Sequence, residues 1–345
     1  MRRRFYSGVA ASQARGYALT MRRISPIVFA LILAGCSNPT ASPTATTGAA
    51  APSGTASCQS APSVPATLDG WGQPATAPAI TPVLIGPAVA TCGDNRFLFS
   101  FLDNQQRPVG APNRTARAAF FDLGRDKDKP FATVDGTFIW AIKDVSGIYA
   151  TKVAFPEAGR FGVEFTTAVD NGAPTTIRVT FDVQPSSPLL RVGDKAPSTK
   201  TPTLADVGND PTKISTDATP DPALYKESID QALAAHQPLV VIFATPKFCT
   251  SATCGPTLDS IKPYITKYPT ITFINVEPYK LKLVDGVLQA DLDENNALQT
   301  TATSDAWKLV TEPHVYVVDK TGTITADFEL IFSDAELTAA LDAVK

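Results

Sequence analysis

Two kinds of hydrophobic patterning divide the chain near residue 185. From 83 to 183 the pattern is that of strands: Phe97, Phe99 and Phe101 alternate with Leu98, Ser100 and Leu102. Further runs cover 116–123, 137–143, 148–155, 161–169 and 176–183. Turn-forming pairs separate them, namely Asp103-Asn104, Asp135-Gly136, Ser146-Gly147, Ala158-Gly159 and Asn171-Gly172. Side chains on a strand point alternately to its two faces, so the spacing predicts about seven short strands and no helix. Beyond Pro188 the period changes. Residues 239–244 are continuously apolar, as buried parallel strands are, and 271–276 reads as a second buried strand. Asp221 and Pro222 read as cap and first position of a helix carrying Tyr225, Ile229, Ala232 and Leu233 on one face, with His236 in its last turn. A second helix begins at Pro256, presents Leu258, Ile261, Ile265 and Tyr268, and is expected to bend at Pro263. Residues 279–309 read as an insertion with a helix near 297–307. Residues 315–318 and 324–328 flank the turn Asp319-Lys320-Thr321-Gly322 as a hairpin, and Ser333 with Glu336 forms a capping box for a last helix.

The first 82 residues have neither pattern. Residues 24–33 are apolar apart from Ser25 and Pro26 and follow Met21-Arg22-Arg23, so Met21 reads as the start of a secretory signal, too short to span a bilayer. Leu33-Ala34-Gly35-Cys36 resembles the bacterial lipobox. That resemblance implies cleavage before Cys36, a diacylglycerol on its sulfur, and a protein held to the membrane outside the cytoplasm. The alternative is an ordinary signal peptide that contains a cysteine. Residues 37–67 carry no charge and no aromatic side chain and are rich in Ala, Ser, Thr and Pro. Such a segment buries too little apolar surface to offset its chain entropy, so a disordered tether is expected over 36–82.

Removing 1–35 takes away six arginines and no acid, moving the net charge from −3 to −9, and takes both methionines. An acidic chain without a basic cluster is not expected to bind nucleic acid. Only His236 and His314 remain as histidines, so a metal site built from His and Met is excluded by inventory.

The strand count and turn spacing of 83–185 predict an antiparallel sandwich of immunoglobulin type. Within it, Gly147-Ile148-Tyr149 and Phe155-Pro156-Glu157-Ala158-Gly159-Arg160-Phe161 resemble the Ig-like modules of the YtkA and FixH type, a resemblance that implies no chemistry. In 186–345, Val192-Gly193-Asp194-Lys195-Ala196-Pro197 resembles the opening of TlpA/ResA-type thioredoxins, and the order β-α-β, two antiparallel strands, helix is that of the thioredoxin fold. The expected architecture is therefore an α/β thioredoxin-like domain preceded by an all-β sandwich.

The resemblance is sharpest at Cys249-Thr250-Ser251-Ala252-Thr253-Cys254 and at Glu312-Pro313-His314. It implies thiol–disulfide exchange with extracytoplasmic proteins, without a cofactor, and a cis Pro313 that helps bind the substrate's backbone. Cys254-Gly255-Pro256-Thr257 matches the family's Cys-Gly-Pro-Cys with Thr257 in place of the second cysteine. That assigns the attacking role to Cys254, at a helix N-terminus that favours a thiolate, and the resolving role to Cys249. Two departures stand out: four residues rather than two separate the cysteines, and Ile242 or an apolar neighbour replaces the family's buried acid. Three other readings concern the same residues. The pair could be a permanent structural disulfide in a non-enzymatic binding module that keeps the fold without turnover, which an extracytoplasmic compartment always permits. Phe243, Pro246, Phe248 and Thr250 echo the peroxiredoxin motif, but the cysteine falls one residue late and no arginine follows Arg191. A Sco-type copper site would use Cys249, Cys254 and His314, since soft thiolates suit Cu(I). Setting aside Cys36, four cysteines remain, and Cys58 with Cys92 is the expected structural pair.

Overall fold

The computed structural model describes residues 58–65, 67–72 and 78–345. The expected signal peptide, Cys36 and the tether up to residue 57 lie outside the described residues. The described residues are mostly β-sheet, in four sheets with few helices. No helix among the described residues is long and apolar enough to cross a membrane.

The first half contains β1 (Ile80–Gly86), β2 (Gly93–Asp103), β3 (Arg114–Asp122), β4 (Ala132–Asp135), β5 (Thr137–Ile142), β6 (Ser146–Phe155), β7 (Gly159–Val169) and β8 (Thr175–Val183). They form two antiparallel sheets, ordered β1-β2-β6-β5 and β4-β3-β7-β8. Phe97, Phe99 and Phe101 enter one core with Phe120, Tyr149, Phe155, Phe161 and Phe165, contributed by both sheets. Phe99 and Phe165 rings lie 4.5 Å apart and Phe101 meets Phe165 edge-on at 5.9 Å, the offset geometries aromatic quadrupoles favour. The eighth strand, β4, is four residues long and half polar, too short to stand out as a periodic run.

The expected tether is a strap on the sandwich over residues 58–65 and 67–72: Ala61 N–H donates to Ala158 O at 2.6 Å, and Ala158 N–H to Gln59 O at 2.9 Å. Trp71 is 6% exposed and packs on Phe121 and Leu123 with Val64 and Leu68 against it. Arg178 covers the Trp71 ring at 4.8 Å. A few apolar residues anchor a segment whose average composition hides them. Cys58 and Cys92 are joined by a disulfide, with 6.1 Å between their Cα atoms.

The second half builds a mixed sheet from β9 (Leu239–Phe243), β10 (Thr272–Val276), β13 (His314–Val318) and β14 (Ile324–Glu329), ordered β10-β9-β13-β14. β9 and β10 are parallel; β13 runs antiparallel to both β9 and β14. One face is covered by α2 (Cys254–Lys267) and α4 (Asp334–Asp342) through Leu258, Ile261, Leu337 and Leu341. The other packs on α1 (Ile229–Ala234) through Ile229 and Ala232, and on Trp307, which follows α3 (Ala302–Ala306). Both faces are buried, hence the unbroken apolar run of β9. The capping box of α4 forms: Ser333 Oγ accepts from Glu336 N and Glu336 Oε2 from Ser333 N.

Two elements differ from expectation. The helix expected from Asp221 is split into a 3-10 turn, Pro222–Tyr225, capped by Asp221, and α1. Ser228 with Gln231 caps a fresh start, and His236 lies beyond the helix with φ of 53°. The insertion is a hairpin, β11 (Leu281–Val284) and β12 (Val287–Ala290), around Asp285-Gly286, and α3 is confined to its end. A two-residue Asp-Gly turn is the usual hairpin signal and was present in the sequence.

The two halves are in contact. Leu98, on the outer face of the β1-β2-β6-β5 sheet, is buried with Ile139, Ile148, Ala150 and Ile331. Arg96 makes a two-pronged pair with Glu336 at 2.6 and 3.0 Å, and Glu329 accepts from Ala88 N at 2.7 Å. Burial would raise the Glu336 pKa, but Arg96 and the Ser333 donors outweigh it and hold the carboxyl below its ordinary value.

Asp122, at the end of β3, is buried and accepts from Gly124 N at 3.0 Å. Burial and the neighbouring Glu157, itself paired with Arg125, push the Asp122 pKa up to about 6. A carboxyl raised above its unfolded value near 4 favours folding in its protonated form. Its cost therefore appears as the unfolded chain ionises above pH 4, grows to about pH 6 and is constant thereafter. Asp122→Asn, which keeps the acceptor for Gly124, is expected to remove this slope and stabilise the protein by about 1–2 kcal/mol at pH 7 relative to pH 4. Denaturant midpoints of both proteins at the two pH values check it.

Candidate functional site

β9 ends against the sheet centre, and residues 244–253 lead into α2. Cys249 and Cys254 are joined across this loop, with Cα atoms 6.0 Å apart. The chain reverses at Ala252, which adopts the left-handed region at φ 59°. Cys254 is the first residue of α2, and Pro256 lies two positions further in, still within the turn whose N–H groups have no helical partner.

The two sulfurs differ in burial. Cys254 is 0% exposed, packed in the core with Ile242 and Leu258, whereas Cys249 is partly exposed. The Cys254 N–H donates to Cys249 Sγ at 3.3 Å. The helix terminus thus serves the sulfur of Cys249, which folds back over it, and not that of Cys254, whose side chain is turned into the core. Spacing alone concealed this, because the four-residue loop is long enough to reverse.

The loop is fastened to the segment before β13. The Glu312–Pro313 bond is cis. Ser251 Oγ donates to the Glu312 carbonyl at 3.1 Å. Thr250 N–H and Oγ1 donate to Glu312 Oε1 at 3.3 and 3.2 Å, and the Tyr279 hydroxyl donates to Oε2 at 2.9 Å. Burial first, and then the Glu312 charge, push the Tyr279 pKa well above its ordinary value. Pro313 is itself buried. Ser251 already occupies the carbonyl that precedes it. Ser251 and Tyr279 were given no role from sequence, and Glu312 and Thr250 entered only as members of motifs; the available signal was a carboxylate placed directly before a proline at the start of an apolar strand.

His314 does not join the cysteines. Alternation on β13 puts Val315 and Val317 on the face shared with Cys254, and His314 and Tyr316 on the other. The His314 ring stacks on Tyr316 at 4.2 Å and its Nε2 bonds Asp327 at 2.5 Å. The ligand set Cys249, Cys254 and His314 is therefore split by the sheet, and no group of three metal-ligating side chains is present among the described residues. Ile242 lies on the Cys254 face, where the neighbouring polar group is Asn275, aligned with Ile242 on β10 and donating to Tyr225 at 3.0 Å.

No family model matches the chain, and no curated protein matches it. Among solved structures, a DUF4426 family protein from Pseudomonas aeruginosa is similar at 7% identity over 31% of this chain and 91% of its own, with a TM-score of 0.23. The Lin-41 filamin domain is similar at 12% identity over 30% of this chain and 93% of its own, with a TM-score of 0.18. Nothing about the cysteine pair follows from either likeness.

Proposed function

We propose that the protein is a lipid-anchored, extracytoplasmic thiol–disulfide exchange protein whose second half is a thioredoxin-like domain and whose first half is an immunoglobulin-like sandwich. The observation that carries the reading is the Cys249–Cys254 disulfide at the start of α2, with one sulfur partly exposed beside a helix N–H and the other buried behind it. The strand order β10-β9-β13-β14, the helix α2 between the parallel strands and the cis Pro313 beside the loop support the fold assignment.

In this reading the Cys249 thiolate attacks a sulfur of the partner's disulfide, forming a mixed disulfide and releasing one partner thiolate. Cys254, deprotonated, then attacks Cys249 Sγ and releases the second. The partner gains two electrons and two protons and the Cys249/Cys254 pair loses them; the reverse sequence oxidises a partner dithiol. Exposure of Cys249 supplies access, and the Cys254 N–H with the positive end of α2 stabilises the thiolate. The full burial of Cys254 favours the rival reading of a permanent structural bond. The reduction potential of the pair separates them: a value above about −300 mV is expected for a working pair, and a lower value would make the bond structural.

A further inference from the structure

We infer that Ser251 is a catalytic residue of this pair: its hydroxyl is placed to hydrogen-bond Cys249 Sγ and to stabilise the thiolate that forms there on reduction. The inference rests on the exchange reading for its role, but not for its measurement.

Ser251 Oγ lies 3.3 Å from Cys249 Sγ, 2.8 Å from Thr253 Oγ1 and 3.1 Å from the Glu312 carbonyl oxygen. A hydroxyl has one hydrogen to give and lone pairs to receive with. With the disulfide closed, Cys249 Sγ is a poor acceptor, and the hydrogen belongs on the Glu312 carbonyl. Thr253, which makes no side-chain capping bond to α2, is free to donate its own hydrogen to Ser251. Breaking the disulfide puts a full negative charge on Cys249 Sγ. Rotation about the Ser251 Cβ–Oγ bond then moves the hydrogen from a neutral carbonyl to the charged sulfur, while Thr253 keeps donating to Ser251 and polarises it further. No backbone movement is required, because the three acceptors and donors already surround the oxygen.

The two stabilising contacts on Cys249 are independent. The Cys254 N–H belongs to the backbone and survives any side-chain change, whereas the Ser251 contact is removed by a single substitution. Ser251 is half-buried and its neighbours are fixed: Glu312 is buried and held by Thr250 and Tyr279, and Thr253 is buried at the helix start. The hydroxyl is therefore pre-positioned, and hydrogen bonds to ionised groups are the strong ones.

The test uses the full chain carrying Cys254→Ala, in which Cys249 is a free thiol and alone titrates at this site, with and without Ser251→Ala or Ser251→Thr. The thiolate absorbance near 240 nm is followed against pH with the Cys58–Cys92 bond intact. Ser251→Ala is expected to raise the Cys249 midpoint by about one unit, and Ser251→Thr, which keeps the hydroxyl, to restore most of it. In the chain with both cysteines, Ser251→Ala is expected to slow reaction with a small disulfide about tenfold at pH 7 and to have little effect well above the midpoint. A midpoint unchanged in Ser251→Ala, or raised equally in Ser251→Thr, overturns the inference. The thiolate midpoint is read whether or not the pair exchanges with proteins, so a chain inert toward every disulfide would sink the exchange reading alone.

Discussion

Cys249→Ser is expected to abolish exchange, whereas Cys254→Ser is expected to yield a protein that accumulates mixed disulfides with its partners. The asymmetry follows from burial. Cys249 is the partly exposed sulfur, beside the Cys254 N–H and the Ser251 hydroxyl. Without Cys254 it can still attack, but nothing resolves the product. Cys254 is 0% exposed. Without Cys249 its thiol is left in an apolar core, where the charged form is disfavoured and no partner sulfur reaches it. The variants, lacking the Cys249–Cys254 bond, are compared by reaction with a small disulfide at neutral pH and by non-reducing electrophoresis of extracellular fractions. Faster reaction of the Cys254 thiol in Cys249→Ser would reverse the roles given to the two sulfurs. Absence of reaction in both, with the wild-type potential below about −300 mV, would make the bond structural.

The largest expected loss of stability comes from Gly162→Val. Gly162 lies on β7, and a Cβ there would sit 2.2 Å from the Trp71 ring. Its backbone is ordinary strand, which valine favours, so the objection is one of space alone. A shift of a few tenths of an ångström does not relieve a 2.2 Å approach, and the ring is flanked by Phe121 and Leu123 and covered by Arg178. Trp71 must leave, and the strap from Leu68 onward leaves with it. The scale is that of deleting a buried tryptophan, about 3–5 kcal/mol. Urea unfolding measures the loss. Trp71→Ala removes the collision, so the double variant is expected to be about as stable as Trp71→Ala alone, a non-additivity that locates the effect in this contact. A full additional loss in the double variant would show that the glycine is needed for another reason.

The phenylalanines at 97, 99 and 101 mark the core face of β2, because successive strand residues point to opposite faces, and the continuous run 239–244 places β9, buried on both. The Ser333–Glu336 box marks the start of α4 because capping is a contact between residues three apart. Local chemistry of this range is written in the order of residues. The strap was less legible: its anchors, Val64, Leu68 and Trp71, are sparse within a stretch of small and polar residues, and their partners Phe121 and Leu123 lie some fifty residues away. Leu98 falls between the phenylalanines in sequence, and its burial combines Ile139, Ile148 and Ala150 of its own half with Ile331 from the far half of the chain.

The sequence by itself determined that the chain has a sandwich-forming half and a half with a mixed sheet and helices, and that two cysteines flank the start of a helix. Periodicity, turn pairs and caps suffice for that. Only the tertiary structure decided which sulfur is accessible. That depends on the 250–253 loop reversing at Ala252, on Ser251 and Thr250 binding Glu312 some sixty residues on, and on Cys254 turning inward beside Ile242. Likewise, His314 is separated from the cysteines by one position of strand alternation, which sets it on the opposite face of the sheet. Exposure and facing are properties of packing between distant segments, and spacing along a chain does not encode them.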